Sequence, residues 1–120
     1  MAWQFNSREA VFIQIANKLR CKIVGGEYPP GEQIPSVRQL AFEAAVNPNT
    51  MQKALTVLEE EGLLIARGTV GRFVTSDEAV LSAAGNKMRR ETVKGWIAEA
   101  RMIGLSAEEM IEYIKEESAK

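Results

Sequence analysis

The stretch from Pro29 to Val74 constrains the fold more than any other part of the chain, because it sets helix caps, turns and apolar positions in a fixed order. Ser36, with Gln39 three residues later, has the spacing of a helix N-cap. Asn47 is the next N-cap, and Pro48 takes the first helical position, where its missing N–H costs nothing. The stretch therefore predicts two short helices in close succession, over residues 36–44 and 47–61.

A small hairpin is predicted to follow the second of these helices. Gly62 ends that helix, and the residues after it favour strands over 63–67 and 72–75, joined by the glycine-flanked turn Gly68-Thr69-Val70-Gly71. Two strands alone are marginal in water. The hairpin is therefore expected to pack against the helices.

Another helix is predicted before this stretch, over residues 7–24, and Gly25-Gly26 ends it. The spacing of Asn6 and Glu9 predicts a capping box at its start. Cys21 lies in this helix, and we interpret it as a buried structural thiol in preference to a redox sensor. The apolar stripe of the helix consists of Val11, Phe12, Ile15, Ala16, Leu19 and Ile23.

After Ser76 the composition changes to alanine, glutamate, lysine and arginine, with apolar residues at helical spacing. This pattern predicts a helix over 77–103 that bends or breaks near Gly85-Asn86, where glycine weakens it. Gly104 ends the helix, and Ser106 with Glu109 caps a short final helix.

Composition excludes several classes of function. The chain has 120 residues, one cysteine and no histidine, so the commonest general base and the commonest zinc ligand are missing. A single cysteine excludes an internal disulfide and suits a reducing compartment. No apolar run approaches the roughly 20 residues of a membrane helix, and the N-terminus is no secretory signal. We expect a cytoplasmic protein that is not an enzyme, with no catalytic residue, cofactor, metal or membrane partner.

The second predicted helix of the stretch begins with small polar residues, which is typical of helices that read DNA bases from their N-terminal turn. Asparagine and glutamine pair bidentately with adenine, and arginine with guanine. Arg38 opens the preceding helix, and the basic, glycine-rich hairpin tip suits close approach to a phosphate chain. The candidate DNA contacts are Ser36, Arg38, Asn47, Asn49, Thr50, Gln52, Lys53, Arg67, Gly68 and Arg72.

Each of these residues also has an ordinary structural interpretation. Asn47 is a capping residue first, Arg38 is placed to pair with a surface acid such as Glu43, and Arg67 and Arg72 fit ordinary hairpin charges. The order of the elements, rather than any single residue, favours DNA binding.

Residues 10–74 resemble the winged helix-turn-helix domain of GntR-family transcriptional regulators, and the Val-Asn-Pro-Asn-Thr run with a short tail resembles the YtrA-like subfamily. The matching pieces are Gly25-Gly26 before Pro29-Pro30-Gly31, residues 34–41, residues 46–50, residues 58–63 and Gly68 to Val74. The resemblance implies a mainly α fold with a small β-hairpin, and a homodimeric repressor that binds an inverted-repeat DNA operator. It places family contacts at Arg38, Asn49, Thr50, Gln52, Lys53, Arg67 and Gly68. The wing departs from the common family form by one extra residue, and it moves a basic residue beyond the second glycine.

We assign residues 1–76 to a winged helix-turn-helix DNA-binding domain and residues 77–120 to a two-helix dimerisation and effector-sensing tail. The tail is too apolar to stand alone, which favours packing against a second copy over folding back on its own domain. An unidentified small-molecule effector stays open. The candidate dimerisation residues are Val93, Trp96, Ile97, Ile103, Met110, Ile111 and Ile114.

The net charge of −1 is unusual for a DNA-binding protein, which usually carries a basic face. Residues 1–76 carry eight basic and seven acidic side chains, whereas residues 77–120 carry seven and nine. The competing interpretation is therefore a winged-helix protein-interaction module without sequence-specific DNA binding.

Overall fold

The computed structural model describes residues 2–120, which form five helices and one antiparallel hairpin. The winged helix-turn-helix fold, mainly α with a small hairpin, is confirmed. The helices are α1 Val11–Val24, α2 Val37–Ala44, α3 Pro48–Glu60, α4 Glu78–Met102 and α5 Ala107–Ser118, and the strands are β1 Leu64–Arg67 and β2 Gly71–Val74.

Helix α3 lies at the centre of the packing, because it contacts α1, α2 and β1. Met51, Leu55 and Leu58, the stripe predicted for α3, are fully buried. Each such side chain contributes about 1.5–3 kcal/mol of transfer free energy when it leaves water. The core that surrounds this stripe contains Ile15, Leu19, Leu40, Leu63, Leu64 and Val74.

The hairpin packs against α3, as predicted, and the segment before α2 also hydrogen-bonds to β2. Leu64 pairs with Val74 at one end of the register and Arg67 pairs with Gly71 at the other, so the turn holds three residues, 68–70. The backbone N–H of Gly31 donates to the Val74 carbonyl at 2.9 Å. The backbone N–H of Ile34 donates to the Arg72 carbonyl at 3.0 Å. The stiff connector before α2 therefore supports the outer edge of β2.

Two predictions for the first helix are wrong. Helix α1 begins at Val11, and Ala10 at its N-cap position makes no side-chain capping bond. The Asn6 side chain instead accepts a hydrogen bond from the backbone N–H of Arg8, so the expected capping box is absent from this part of the described chain. Cys21 is exposed, because it falls between the buried positions Leu19 and Ile23 rather than on their stripe.

Of the bend or break predicted near Gly85-Asn86, the break is wrong, because α4 runs unbroken from Glu78 to Met102. Gly85 is buried, and a Cβ at this position would lie 2.7 Å from a guanidinium nitrogen of Arg89. The glycine therefore leaves room for the side chain one turn later instead of breaking the helix.

Contacts divide the chain into two compact units, one ending at Ala83 and the other spanning Ala84–Lys120. In the second unit, the predicted capping box of α5 is confirmed. Ser106 Oγ accepts from the Glu109 N–H at 3.1 Å, and Glu109 Oε1 accepts from the Ser106 N–H at 3.0 Å.

Candidate nucleic-acid interface

Two predicted caps set the start of each helix in the helix-turn-helix. Ser36 Oγ accepts a hydrogen bond from the Gln39 N–H at 3.2 Å, and Asn47 Oδ1 accepts from the Asn49 N–H at 2.7 Å. Pro48 follows as the first residue of α3. Both caps are confirmed, and together with Ala45, which turns the chain in a left-handed conformation, they fix how α2 meets α3.

The N-terminal part of α3 presents polar side chains to solvent. Asn49, Gln52 and Lys53 are exposed, and Thr50 is half-buried. Met51, between Thr50 and Gln52, points into the core. The opposite, solvent-facing side of the helix therefore carries the hydrogen-bonding groups. The Lys53 ammonium lies 4.7 Å from the centre of the Phe12 ring, a distance at which the ring attracts the cation.

Arg38 is exposed on α2. Within residues 2–120, no carboxylate pairs with Arg38, Lys53 or Arg67, so the pairing of Arg38 with Glu43 that the sequence left open is absent there. Three cations near the start of α3 and on the hairpin are therefore available to an external anion.

The hairpin tip combines an exposed cation with an open glycine. The Arg67 guanidinium carbon lies 4.8 Å from the Phe73 ring centre, which orients the side chain along the hairpin. Gly68 has φ +53°, and no atom of the described residues lies within 4 Å of a Cβ built on it. A phosphate chain could approach this backbone closely without meeting a side chain.

Gln33 supports the turn from outside the hairpin. Its Nε2 donates a hydrogen bond to the Val70 carbonyl at 2.6 Å. The same nitrogen lies 2.6 Å from where a Cβ of Gly71 would be, and Gly71 has φ +134°. Any side chain at Gly71 would therefore displace the contact that holds the tip.

Arg72 differs from the other basic candidates, because its Nε bonds Glu59 Oε1 of α3 at 2.5 Å. The Arg72 and Glu59 side chains are 17% and 29% exposed. This ion pair links β2 to the C-terminal half of α3 and neutralises the charge of Arg72. The acidic run at the end of α3 thus has a structural role that its position alone did not reveal.

Phe42 is a further surface residue that the sequence analysis did not single out, and it is 86% exposed. Leu40, Ala41 and Ala44 are the buried positions of α2. Helical periodicity therefore places Phe42 off the buried face, and this signal was available in the sequence.

The candidate dimerisation residues, which lie on α4, on α5 and in the turn between them, are largely in solvent. None of the α5 side chains is buried, and a helix of 12 residues is marginal in isolation. Ile97 and Met110 are half-buried. The exposed members are Val93, Trp96, Ile103, Ile111 and Ile114.

The shifted pKa values belong to groups that are not candidate contacts. The hydrogen bond from Lys22 to Glu27 raises the pKa of Lys22, and burial raises the pKa of Tyr28. In the second unit, hydrogen bonds from the Ser106 backbone and side chain lower the pKa of Glu109.

Neither a metal centre nor a membrane helix is found in the part of the chain that the structure describes. Residues 2–120 contain no group of three or more histidine, cysteine, aspartate or glutamate side chains that could hold a metal ion. None of their helices combines the length and apolar character that crossing a bilayer demands.

Comparison with known proteins gives one consistent family. Residues 13–74 match the model described as bacterial regulatory proteins, gntR family. The HTH-type transcriptional regulator YhcF of Bacillus subtilis is 34% identical over 93% of this chain and 93% of its own length. The HTH-type transcriptional repressor YtrA of the same organism is 32% identical over 94% of this chain and 88% of its own length.

Solved structures agree with this result. A GntR family transcriptional regulator from Listeria monocytogenes has a TM-score of 0.84 at 28% identity, covering 93% of this chain and 98% of that one. The DNA-binding domain of AraR, solved in complex with operator ORX1, has a TM-score of 0.55 at 25% identity, covering 60% of this chain and 93% of that one.

Proposed function

This chain belongs to the GntR family of bacterial regulatory proteins, as a transcriptional regulator with a DNA-binding helix-turn-helix, and we propose that it is a repressor that binds an inverted-repeat operator as a homodimer. Its relative YtrA is named a repressor, and AraR was solved on an operator. The proposal places the protein in the cytoplasm with the chromosome and gives it no catalytic role.

The observation that carries this proposal is the polar, exposed start of α3. Asn49 and Gln52 are free to offer amide donors and acceptors to base edges, as a recognition helix does in the major groove. Lys53 and Arg38 add positive charge beside them, and neither has a carboxylate partner in residues 2–120. We propose that α3 reads the bases and that Arg38 binds a phosphate or base at the groove edge.

The two capping residues have a narrower role in this proposal. Ser36 Oγ and Asn47 Oδ1 accept backbone hydrogen bonds, which leaves the Ser36 hydroxyl proton and the Asn47 amide protons as donors to phosphate. Thr50 is half-buried and offers its hydroxyl at the edge of the same face. Phosphate contacts of this kind set the register of a protein on DNA without reading sequence.

In the wing, we assign the DNA contact to Arg67 and Gly68 and give Arg72 a positioning role. Arg67 is exposed and has no ion pair among the described residues, whereas Glu59 neutralises Arg72. The wing has one more residue than the common family form. In this longer wing the second basic side chain, Arg72, pairs with Glu59 of α3.

For the tail, we propose that residues 77–120 form the homodimer interface and that any small-molecule effector binds there or beside it. The support is the set of exposed apolar side chains on α4 and α5, which a second copy would cover. Two-fold symmetry would set the two recognition helices about one DNA turn apart, roughly 34–36 Å, or a multiple of it.

Selection from a random duplex library, followed by titration of the enriched duplex across salt, tests the proposal. We expect an enriched inverted repeat and an affinity that falls steeply as salt rises, since each neutralised phosphate releases counterions. Replacing Arg38 with alanine should weaken binding to that duplex by about 1–3 kcal/mol, and Asn49→Ala should lower the preference over random DNA.

The competing function, a protein-interaction module, is favoured by the near-neutral net charge of −1. It predicts that no duplex is enriched and that binding to any DNA is weak. That result would overturn the proposed operator binding.

A further inference from the structure

Phe42 lies in an apolar surface depression rather than as an isolated exposed ring. The depression has a volume of about 450 Å³ and is bounded by α2, the turn and the start of α3. Single exposed apolar residues are common on protein surfaces, whereas an exposed aromatic ring grouped with other apolar side chains is a candidate site of interaction. Its lining consists of Arg38, Ala41, Phe42, Ala45, Val46 and Pro48.

The depression is continuous with the surface to which we assign DNA contacts. Arg38 and Phe42 are four residues apart in α2, so they share one helical face and are neighbours on it. Pro48 is the first residue of α3, two positions before Thr50. The side chains that line the depression thus connect Arg38, the proposed DNA contact of α2, to the proposed reading helix.

The chemistry of the lining fits a backbone nucleotide. Arg38 supplies a cation without a carboxylate partner among the described residues, while Phe42 and Pro48 supply apolar surface. Pro48 has no N–H to donate to phosphate. A deoxyribose phosphate combines an anion with a ring of C–H groups, so it matches a cation set beside apolar rings.

We propose that Phe42, with Pro48, packs against the deoxyribose of the nucleotide whose phosphate Arg38 binds. This inference rests on the proposed operator binding and adds a contact that no charge or hydrogen-bond pattern would identify. The contact is apolar and reaches no base edge. It should therefore strengthen binding to operator and random duplex by a similar factor and leave the salt dependence unchanged.

The test is Phe42→Ala, titrated against the selected duplex and a random duplex at several salt concentrations. We expect both affinities to fall about tenfold, equivalent to about 1.4 kcal/mol, with an unchanged slope of log affinity against log salt. Arg38→Ala should instead reduce that slope by about 0.9, the value for one phosphate contact. Phe42→Leu, which keeps apolar surface, should lose less than Phe42→Ala.

Ile13→Ala is the matched control, because Ile13 is an apolar residue of α1 with 43% exposure. It should bind both duplexes as the wild type does. Since Phe42 is 86% exposed, its replacement should leave the thermal unfolding midpoint unchanged, which separates a lost contact from lost folding.

Two results would overturn the inference. If Phe42→Ala binds both duplexes as the wild type does, DNA does not occupy the depression. If that variant also self-associates differently, the occupant is a second copy of the chain. A changed salt slope would show that Phe42 acts through the charge of Arg38. Failure of the proposed function gives a different result, because the wild-type protein would then enrich no duplex.

Discussion

Ala45 holds the turn between α2 and α3 in a backbone conformation that its own side chain opposes. Its φ of 58° and ψ of 47° lie in the left-handed region, and it is the one non-glycine residue in residues 2–120 with a positive φ. For an L-residue this conformation costs about 1–2 kcal/mol. The strain persists because the packing of α2 against α3 fixes the turn from both sides.

Ala45→Gly should raise the free energy of unfolding of the first unit by about 0.5–1 kcal/mol. Relief of the left-handed strain exceeds the roughly 0.4–1 kcal/mol that glycine costs through the entropy of the unfolded chain. Urea unfolding followed by Trp3 fluorescence in a Trp96→Phe background would measure it. Ala44→Gly is the control and should destabilise, because Ala44 is helical and buried. A destabilised Ala45→Gly variant would contradict this account.

The two basic residues of the hairpin should separate stability from DNA binding. Arg72→Gln leaves the half-buried Glu59 carboxylate without its partner, so we expect a loss of about 1–2 kcal/mol in stability. Arg67→Gln should leave stability unchanged, weaken DNA binding and lower the salt slope by about 0.9. Urea unfolding and duplex titration of both variants check this.

The double variant Glu59→Gln with Arg72→Gln provides the control for Arg72. Removing both charges should restore part of the lost stability, since neither group then stays buried and unpaired. Equal stability of Arg72→Gln and the wild type would argue that the ion pair is incidental.

At the scale of elements, local sequence motifs predicted the helix caps, which depend on local hydrogen bonds. The caps of α2, α3 and α5 were predicted correctly, because each depends on a side chain and a backbone N–H two or three residues apart. The cap expected at Asn6 is absent, because the Gln14 side chain bonds the Asn6 backbone. Gln14 Oε1 accepts from the Asn6 N–H and Gln14 Nε2 donates to the Asn6 carbonyl, which holds the segment outside α1. A capping motif covers four residues, so it cannot show that a residue eight positions away bonds the same backbone.

Side-chain contacts that residue propensities do not include account for the other differences. Glycine propensity predicted a break at Gly85, but a side chain from the next turn occupies the space beside it. The hydrogen bonds that Gln33 donates to the hairpin tip and that Arg72 donates to Glu59 join residues 37 and 13 positions apart. Of the candidate site, the sequence therefore indicated the exposed start of α3, but it could not separate the free Arg67 from the paired Arg72.

The capping box of α5 should matter more than a cap does in a well-packed helix, because α5 buries no side chain in the described chain. Hydrogen bonds from Ser106 lower the pKa of Glu109 from its ordinary value of 4.5. A carboxylate whose pKa is lowered by folding stabilises the helix at neutral pH. That contribution is lost as the pH falls from about 4.5 through the lowered value.

Ser106→Ala keeps the backbone N–H that is the larger cause of the shift and removes the side chain that is the smaller one, so the pKa of Glu109 should rise only part of the way towards 4.5. Loss of the Ser106 side-chain cap should reduce the stability of α5 by about 1 kcal/mol. Carboxyl NMR titration measures the pKa, and hydrogen exchange of the α5 amides measures the stability. Ser82→Ala, within α4, is the control and should change neither quantity. A Glu109 pKa that is identical in the wild type and Ser106→Ala would contradict the capping account.

At the scale of the whole molecule, the charge balance has a consequence for how DNA is bound. The chain carries 15 basic and 16 acidic residues, so it has no broad positive field to draw it onto a duplex. Among the candidate contacts in residues 2–120, Arg38, Lys53 and Arg67 are the cations without a carboxylate partner. Under the proposed function, affinity must therefore come from two copies acting together, with the second contact made at a high effective concentration.

Ile114→Glu tests this coupling, because Ile114 is 47% exposed on α5 and a charge there should keep a second copy from packing. We expect sedimentation to show a dimer for the wild type and a monomer for the variant. The wild type should bind a duplex with two half-sites at least 100-fold more tightly than one with a single half-site, within the range for linked sites. Ile114→Glu should bind both duplexes alike.

Ser118→Glu adds the same charge at the end of α5 without removing an apolar side chain, so it should behave as the wild type. Inserting about 5 base pairs between the half-sites turns one of them to the opposite side of the duplex. The insertion should abolish the advantage of two half-sites for the wild type and leave Ile114→Glu unaffected. If instead the wild type is monomeric, or Ile114→Glu keeps the full preference for paired half-sites, the tail does not couple the two reading heads.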